Sequence, residues 1–199
     1  MPLPSVISAQ AVEKRYGRKH ALRPVNLELS RRSFLVVTGA NGSGKTTLLR
    51  LLVGLAAPTR GELRVSVERG RLGYLGHEAL VYRDLTALEN LDLYGRLYRV
   101  RERRERIGML LERFGLWESR RERAGAFSRG MLQRLALCRT FLHDPELLVL
   151  DEPFTALDAE GAALLDRQLA ELRVACTIVL STHEPKRVEH LCSDRLALT

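Results

Sequence analysis

No stretch of the sequence approaches the roughly 18–20 consecutive apolar residues that a membrane-crossing helix requires. The first residues, Met1 to Ser5, contain no basic segment followed by an apolar core, so no secretory signal is predicted. Hydrophobic residues make up 45% and charged residues 28% of the 199 positions, which is a globular rather than a disordered composition. We therefore expect one folded domain, covering residues 1–199, in the cytoplasm.

Cysteine is scarce, with only Cys138, Cys176 and Cys192 in the chain. Their number is odd and no two of them form a CxxC pair, which disfavours a disulfide framework, a zinc site and covalently attached haem. We therefore expect buried, reduced thiols that behave as small hydrophobic side chains.

Lysine is also scarce: four of the 32 basic residues are Lys, and the other 28 are Arg. The 24 acidic residues leave a net charge of +8, which suits a protein that binds nucleic acid, a membrane surface or a phosphate ligand. Six arginines are concentrated in one stretch: Arg96, Arg99, Arg101, Arg103, Arg104 and Arg106. They predict either a solvated helix face or a surface attracted to anionic lipid headgroups. Because no stacking aromatic pattern is interleaved with them, we expect no direct contact with nucleic acid.

Apolar runs typical of buried strands alternate with helical patterns along most of the chain. The strand-like runs are Phe34–Val37, Leu147–Leu150 and Thr177–Leu180, and the helical patterns run from Thr46 to Leu55, from Ser128 to a point before Pro145, and from Ala162 to Leu172. The first 30 residues alternate between apolar and polar, which predicts short strands. This arrangement is typical of an α/β fold with a mostly parallel sheet, here with a small antiparallel β part.

The segment from about 84 to 126 is highly charged and has no strand pattern. We expect it to be a helical lobe inserted into a core formed by about 1–83 and 127–199. Nothing else in the chain suggests a domain boundary.

A glycine-rich segment follows the first buried run and precedes a helical pattern. It consists of Gly39, Ala40, Asn41, Gly42, Ser43, Gly44, Lys45 and Thr46, and it matches the phosphate-loop pattern G-x-x-x-x-G-K-[ST]. Glycines let the backbone curl so that consecutive N–H groups point at phosphate oxygens, and the helix that follows adds its positive N-terminal end. We expect Lys45 to reach the β- and γ-phosphates and the Thr46 hydroxyl to bind Mg²⁺, with the binding segment extending through Thr47.

Two carboxylates and one histidine follow the next two buried runs. Asp151 and Glu152 come directly after the first of these runs, and His183 follows the second. Since the carboxyl ends of parallel strands meet at one sheet edge, all three are expected beside the phosphate loop. Asp151 would hold Mg²⁺ through water, Glu152 would orient and deprotonate the attacking water, and His183 would contact the γ-phosphate.

The order of these motifs resembles that of ATP-binding cassette (ABC) ATPases. The segment Phe127–Arg134 lies just upstream of the carboxylate pair, and Ala156-Leu157-Asp158 lies just downstream. The resemblance runs from Tyr16 to about Leu198 and implies a P-loop NTPase fold of the ABC type. It also implies roles for further residues: Tyr16 in stacking on adenine, Ser128, Arg129, Gly130 and Met131 as a signature for the γ-phosphate held by the opposite subunit, and Asp158 in a loop that communicates across a dimer. Each ATP is then enclosed between two cassettes, in a homodimer or a pair of different cassettes.

Two parts of the sequence depart from the family's common pattern. The usual signature is LSGGQ, whereas here Arg129 replaces the first Gly and Met131 replaces the Gln. The family's Mg²⁺- and partner-sensing Gln aligns with His77, which is shorter but can donate or accept a hydrogen bond and can bind metal. Two alternatives stay open for each residue. Arg129 either lies near phosphate or points to solvent, and His77 either contacts Mg²⁺ or communicates with a partner protein.

Within the family, the segments Tyr74–His77 and Leu85–Leu91 are similar to those of the cytochrome c maturation ATPases, which are described as haem exporters. The resemblance implies an ATPase subunit that uses ATP and Mg²⁺ and works with transmembrane permease subunits. Its location would be peripheral, at the cytoplasmic face of the inner membrane, through those partners. ATP binding would close two cassettes and hydrolysis would reopen them.

Three alternatives belong to other classes of substrate or protein. Another small exporter, of drugs, lipids or peptides, would carry similar segments. A soluble ABC ATPase acting on ribosomes or DNA usually has two cassettes or a long coiled-coil insert, for which 199 residues leave no room. A P-loop kinase of small molecules needs an acceptor pocket or a lid, and the segment Phe127–Arg134 and His183 argue against it.

Overall fold

The computed structural model describes residues 5–199, so Met1 to Pro4, on which most of the secretory-signal prediction rested, lie outside the described residues. The strands are β1 (Ser5–Tyr16), β2 (Lys19–Ser30), β3 (Phe34–Gly39), β4 (Arg60–Val65), β5 (Leu72–Leu75), β6 (Leu147–Asp151), β7 (Thr177–Ser181) and β8 (Asp194–Leu198). The helices are α1 (Lys45–Leu52), α2 (Ala87–Leu97), α3 (Arg103–Arg113), α4 (Arg129–Phe141), α5 (Ala159–Leu172) and α6 (Pro185–Val188).

Five strands form one parallel sheet in the order β5-β6-β7-β3-β8. Along β6, Leu148 and Leu150 belong to the hydrophobic cluster on one face, whereas Leu147 and Val149 belong to the cluster on the other. Because both faces are covered, the central strands are apolar at nearly every position. The prediction of an α/β fold with a mostly parallel sheet is confirmed.

A second sheet is antiparallel and has the order β2-β1-β4. Ile7 and Leu22 of this sheet are buried in the same cluster as Leu48 of α1, so it covers one face of the parallel sheet together with that helix. Both β1 and β2 have 12 residues, so the prediction of short strands was wrong in length. The long β1 is paired on both sides and takes up a register irregularity at Ala11, whose φ is +47°.

Helices α2, α3 and α4 pack on the other face of the parallel sheet. Leu91 of α2, Leu111 of α3 and Leu137 of α4 are fully buried in one cluster with residues of β6. The helices α2 and α3 lie within the segment expected to form the lobe, and they share this cluster with the sheet. The division of the chain into a core and a lobe stays a prediction.

Side-chain caps decide where two helices begin. Ser128 Oγ accepts a hydrogen bond from Met131 N at 3.2 Å, and α4 begins at the next residue. Asp158 Oδ1 accepts from Gly161 N at 2.8 Å, so α5 begins at Ala159, three residues before the predicted start.

Two strands of the parallel sheet have no counterpart in the sequence prediction. Both β5 and β8 are at the edges of the sheet, and their residues alternate between buried and more exposed positions. Such short edge strands lack the continuous apolar run by which the central strands are recognised. Among residues 5–199, no helix combines the length and the apolar composition needed to span a membrane.

Candidate functional site

The carboxyl ends of four parallel strands meet at one edge of the sheet and surround a cavity of about 360 Å³. The phosphate loop follows β3, His77 follows β5, Glu152 follows β6 and His183 follows β7. The residues that line the cavity are Lys19, His20, Ala21, Asn41, Gly42, Gly44, Lys45, Thr46, Thr47, His77, Asp151, Glu152 and His183. The topology thus brings together motifs that are more than 100 positions apart in the chain.

The phosphate loop curls through left-handed glycine conformations. Gly42 has φ +83° and Gly44 has φ +103°, values that side-chain-bearing residues rarely adopt. A Cβ on Gly44 would lie 2.6 Å from the Ala21 carbonyl oxygen, so the loop can approach the β2 strand only without a side chain there. Helix α1 begins immediately after it, at Lys45, with no side-chain cap on its first N–H groups. These groups and the helix dipole make the loop an anion site.

Lys45 is a nearly buried cation at this site, with 7% of its surface exposed. Its Nζ donates to Gly39 O at 2.8 Å and to Ala40 O at 3.3 Å. Within residues 5–199, no carboxylate lies within ion-pair distance of Lys45. A buried ammonium without a counter-charge favours an anionic ligand.

Asp151 provides a carboxylate that is 4% exposed. Its Oδ1 accepts from Ser181 Oγ at 2.6 Å, whereas its Oδ2 is buried and has no hydrogen-bond partner. An unpartnered carboxylate oxygen in the same cavity as the Thr46 hydroxyl fits Mg²⁺, which typically takes one or two protein oxygens together with substrate phosphates. The described residues contain no cluster of three or more His, Cys, Asp or Glu side chains that would hold a metal ion.

The charge of Asp151 also acts on its neighbour Tyr74. Burial raises the pKa of the Tyr74 hydroxyl, and the negative charge of Asp151 raises it further, while Arg50 acts in the opposite direction.

Glu152 and His183 are in direct contact. Glu152 Oε2 accepts from His183 N at 3.2 Å, and His183 Nε2 lies 3.2 Å from Glu152 Oε1, outside hydrogen-bonding direction. His183 Nε2 is also 3.5 Å from Lys45 Nζ. Glu152 adopts φ +49°, and its N–H donates to Ser181 Oγ at 3.0 Å. The hydrogen bond from its N–H to β7 helps to hold this strained backbone in place.

The signature residues Ser128, Arg129, Gly130 and Met131 do not line this cavity. They form the start of α4, where a Cβ on Gly130 would lie 3.1 Å from Ala156 O, so they pack on the loop between β6 and α5. Asp158, at the end of that loop, lines a second cavity of about 280 Å³ that Glu152 and His183 also border. The roles that the resemblance implies for these residues stay predictions.

Tyr16 does not line the cavity either. It ends β1 with 56% of its surface exposed, and Lys14 Nζ lies 5.0 Å from its ring centroid. Lys19, which pairs with Tyr16 across the β1–β2 hairpin, does line the cavity. The stacking of Tyr16 on adenine stays a prediction.

Sequence reasoning missed four residues that the structure brings to the site. Ser181 is the last residue of β7 and is paired in register with Asp151. Its place directly after the apolar run of that strand was a usable signal. Lys19, His20 and Ala21 reach the cavity from the antiparallel sheet. Nothing in their local sequence indicates this, because the approach of β2 to the loop is a tertiary contact.

Comparison with known proteins supports the family suggested by the motifs. The family model described as ABC transporter matches residues 22–155. The ABC transporter ATP-binding protein YxlF of Bacillus subtilis, described as uncharacterized, is 35% identical over 95% of this chain. The daunorubicin resistance ATP-binding protein DrrA3 of Streptomyces coeruleorubidus is 36% identical over 98%. This chain spans 66% of the length of YxlF and 65% of that of DrrA3. The cytochrome c biogenesis ATP-binding export protein CcmA of Haemophilus influenzae is 35% identical over 96% of this chain and 95% of its own length.

Two solved structures share the fold. An ATP-binding subunit of an ABC transporter superposes with a TM-score of 0.89 at 27% identity, covering 97% of this chain and 85% of that one. The dimeric post-hydrolysis state of the ATP-binding cassette MJ0796, bound to ADP and Pi, gives 0.87 at 26% identity, covering 97% and 94%. The family model covers the phosphate loop and the carboxylate pair, and the fold agrees with two solved ATP-binding proteins. This chain therefore belongs to the ABC transporter family, as one of its ATP-binding cassettes.

Proposed function

We propose that this chain is the ATP-hydrolysing subunit of an ABC membrane transporter. The observation that carries the proposal is the convergence of Lys45, Asp151, Glu152 and His183 around one cavity at the edge of the parallel sheet. A buried cation for phosphate, an acid with an unpartnered oxygen and a carboxylate base are the groups that phosphoryl transfer to water requires.

In this proposal some residues of the chain bind the nucleotide and others transfer the proton. The loop N–H groups and Lys45 bind the triphosphate of ATP. Mg²⁺ would be held by Thr46 and Asp151 and would neutralise part of the phosphate charge. Glu152 Oε1, which is buried and makes no hydrogen bond, accepts the proton of the attacking water. Glu152 also orients that water, and His183, which lies between Glu152 and Lys45, contacts the γ-phosphate.

The proposed active form is a dimer of cassettes. The signature lies at the N-terminal end of α4, which has no acidic residue in its first turn, and its residues Ser128, Arg129, Gly130 and Met131 are exposed or half-buried. The N–H groups and the helix dipole at this end favour an anion. One copy offers this helix end to the nucleotide held by the other, and Asp158 lies at the same interface. Closure then depends on contacts that exist only when ATP is bound.

The proposed partners are transmembrane permease subunits, which keep the chain at the cytoplasmic face of the inner membrane. His77 is exposed and borders the nucleotide cavity directly after β5, so one side chain can respond both to the site and to a partner. We therefore favour a communicating role for His77 over one as a Mg²⁺ ligand.

For the transported substrate, we infer haem, in cytochrome c biogenesis. Support comes from the segments Tyr74–His77 and Leu85–Leu91 and from the similarity to two CcmA export proteins, at 36% and 35% identity. Drug export is the second candidate, because DrrA3 is 36% identical over 98% of this chain.

Purification in mild detergent, followed by identification of the membrane subunits that co-elute, separates these two candidate substrates. Co-elution of cytochrome c assembly factors would support haem export. Co-elution of a drug or lipid permease would instead support export of that substrate, and co-elution of ribosomal material would exclude both candidates.

The variant Glu152→Gln tests hydrolysis directly. The amide cannot accept the water's proton at the pH of the reaction, so ATP turnover is expected to fall by about 10²–10⁴-fold. ATP affinity is expected to stay within about threefold, because Glu152 does not hold the phosphates in the proposed mechanism. Phosphate release and nucleotide titration measure the two quantities.

The matched control for this experiment is Glu160→Gln, an exposed glutamate in the first turn of α5. It is expected to leave turnover unchanged. Wild-type turnover by Glu152→Gln would exclude Glu152 as the base, and a wild-type chain that binds no ATP would overturn the proposed function itself.

A further inference from the structure

Arg187 of α6 contacts two other segments that border the site. It lies four positions after His183, on a single helical turn that is anchored by the fully buried Val188. Arg187 Nη2 is 3.3 Å from Asp166 Oδ2 of α5. Its guanidinium carbon is 4.8 Å from the ring centroid of Phe154, in the loop after Glu152. One planar cation thus joins the segment after His183, the loop after Glu152 and the helix that Asp158 caps.

The loop that Arg187 contacts runs from Pro153 to Leu157 and connects Glu152 to Asp158. Its other side is held by α4, because Gln133 Nε2 donates to Pro153 O at 3.0 Å. Two of the residues around it, Glu152 at φ +49° and Ala156 at φ +68°, have strained left-handed backbones. Strain of this kind persists only where surrounding contacts hold it in place, so the loop depends on contacts on both sides.

The Arg187–Asp166 pair differs from the exposed ion pairs of the chain. The side chains of Arg187 and Asp166 are 32% and 28% exposed, whereas those of the nearby Arg195–Glu189 pair are 62% and 56% exposed. Asp166 Oδ1 and Arg187 Nε are both buried without a further partner, so each group relies on the other. Solvent screens such a pair less than an exposed one, and the stacked ring restricts the guanidinium plane.

We propose that Arg187 is a positioning residue for ATP hydrolysis: paired with Asp166 and stacked on Phe154, it sets the loop 153–157 and thereby the placement of Glu152 and Asp158 relative to His183. This rests on the proposed function, since it concerns the same reaction. Arg187 itself borders the second cavity, beside Glu152 and Asp158, and it does not line the nucleotide cavity. It therefore acts on the catalytic step and leaves ATP binding unaffected.

The test is a double-mutant cycle of Arg187→Ala and Asp166→Asn with separate measurement of turnover and ATP affinity. Arg187→Ala is expected to lower kcat by about tenfold, because small misplacements of a catalytic group are costly, with ATP affinity unchanged. The double variant is expected to be no slower than Arg187→Ala, since the two side chains act as a unit. Arg187→Lys, which keeps the charge but not the planar stack, is expected to recover part of the loss.

The matched control is Arg195→Ala, which breaks the exposed pair with Glu189 and is expected to leave kcat unchanged. A kcat of Arg187→Ala equal to that of the wild type, or losses that add in the double variant, would overturn the proposal. A loss of ATP affinity in proportion to kcat would do the same, because it would show general damage to the fold.

Amide hydrogen exchange gives a second measurement that needs no turnover. Residues 153–157 are expected to exchange faster in Arg187→Ala than in the wild type, with the phosphate loop unchanged and Arg195→Ala indistinguishable from the wild type. Unchanged exchange in 153–157 overturns the positioning role even in a chain that does not hydrolyse ATP. Absence of wild-type hydrolysis would instead count against the proposed function.

Discussion

At the scale of single residues, the surroundings of Lys45 and Asp151 specify complementary ligands. The ammonium of Lys45 is nearly buried and contacts only carbonyl oxygens and His183 within the described residues. The carboxylate of Asp151 keeps one buried oxygen without a partner. A polyanion that carries its own divalent cation, such as the proposed Mg²⁺-bound ATP, would satisfy both groups.

Truncating Lys45 is the sharpest test at this scale. Lys45→Ala is expected to lose about 2–4 kcal/mol of ATP-binding free energy, because a buried charged contact is removed. That corresponds to a loss of affinity of roughly 30- to 1,000-fold, measured by calorimetric titration. Lys186→Ala is the control, since Lys186 is exposed and does not line the cavity. Equal ATP affinity in the two variants would contradict the assigned role of the phosphate loop.

At the scale of elements, a buried histidine that follows α4 contacts a residue at the end of α2 and one of β5. His143 follows α4, its ring is stacked on Tyr98 at the end of α2 with centroids 4.0 Å apart, and its Nε2 donates to Leu72 O of β5 at 3.1 Å. Burial lowers the pKa of His143, an effect that the hydrogen bond to Leu72 only partly opposes. The folded chain therefore favours the neutral form of the His143 imidazole.

The lowered pKa of His143 predicts the direction of a pH effect on stability. Above the ordinary histidine pKa of about 6.5, neither the folded nor the unfolded chain protonates this residue. As the pH falls below that value, the unfolded chain binds a proton that the folded chain does not, so the free energy of unfolding decreases. From pH 7.5 to 5.5 we therefore expect the contribution of His143 to the free energy of unfolding to decrease.

Urea unfolding at the two pH values measures this contribution. His143→Phe, which keeps an aromatic ring for the stack on Tyr98, is expected to show a smaller decrease than the wild type. His190→Phe, at an exposed histidine, is the control and is expected to retain the wild-type decrease. An identical pH dependence in His143→Phe and the wild type would show that His143 is not protonated differently in the two states.

At the scale of the whole molecule, one chain holds only part of the proposed ATP site. The phosphate loop lines the cavity of about 360 Å³ and the start of α4 does not, although both have N–H groups suited to phosphate. We expect Glu152→Gln with Mg²⁺ and ATP to sediment at twice the mass of one chain, because ATP that is not hydrolysed keeps two copies closed. Adding Lys45→Ala to the same chain is expected to restore the monomer. A monomer under both conditions would contradict dimer closure.

Several features of the fold and the site could be predicted from single segments. The prediction of the phosphate loop depends on glycines and a lysine within eight positions. The central strands are predicted from continuous apolar runs, and the start of α4 is predicted from the Ser128 cap. Short edge strands such as β5 could not be predicted, because their half-exposed residues carry a weak pattern. The early start of α5 was missed because its cap, Asp158, was assigned only a role in the dimer.

The sequence by itself determined the local patterns of this protein: which segment has the phosphate-loop pattern, which residues are proposed as base and metal ligand, and which strands are covered on both faces. These properties depend on neighbouring residues and on periodicity along the chain. Only the tertiary structure decided that Ser181 orients Asp151, that Lys19–Ala21 border the cavity and that Arg187 joins the loop after Glu152 to α5. Those contacts arise from the order of strands in the sheet and from the packing of distant segments, which no local pattern of residues encodes.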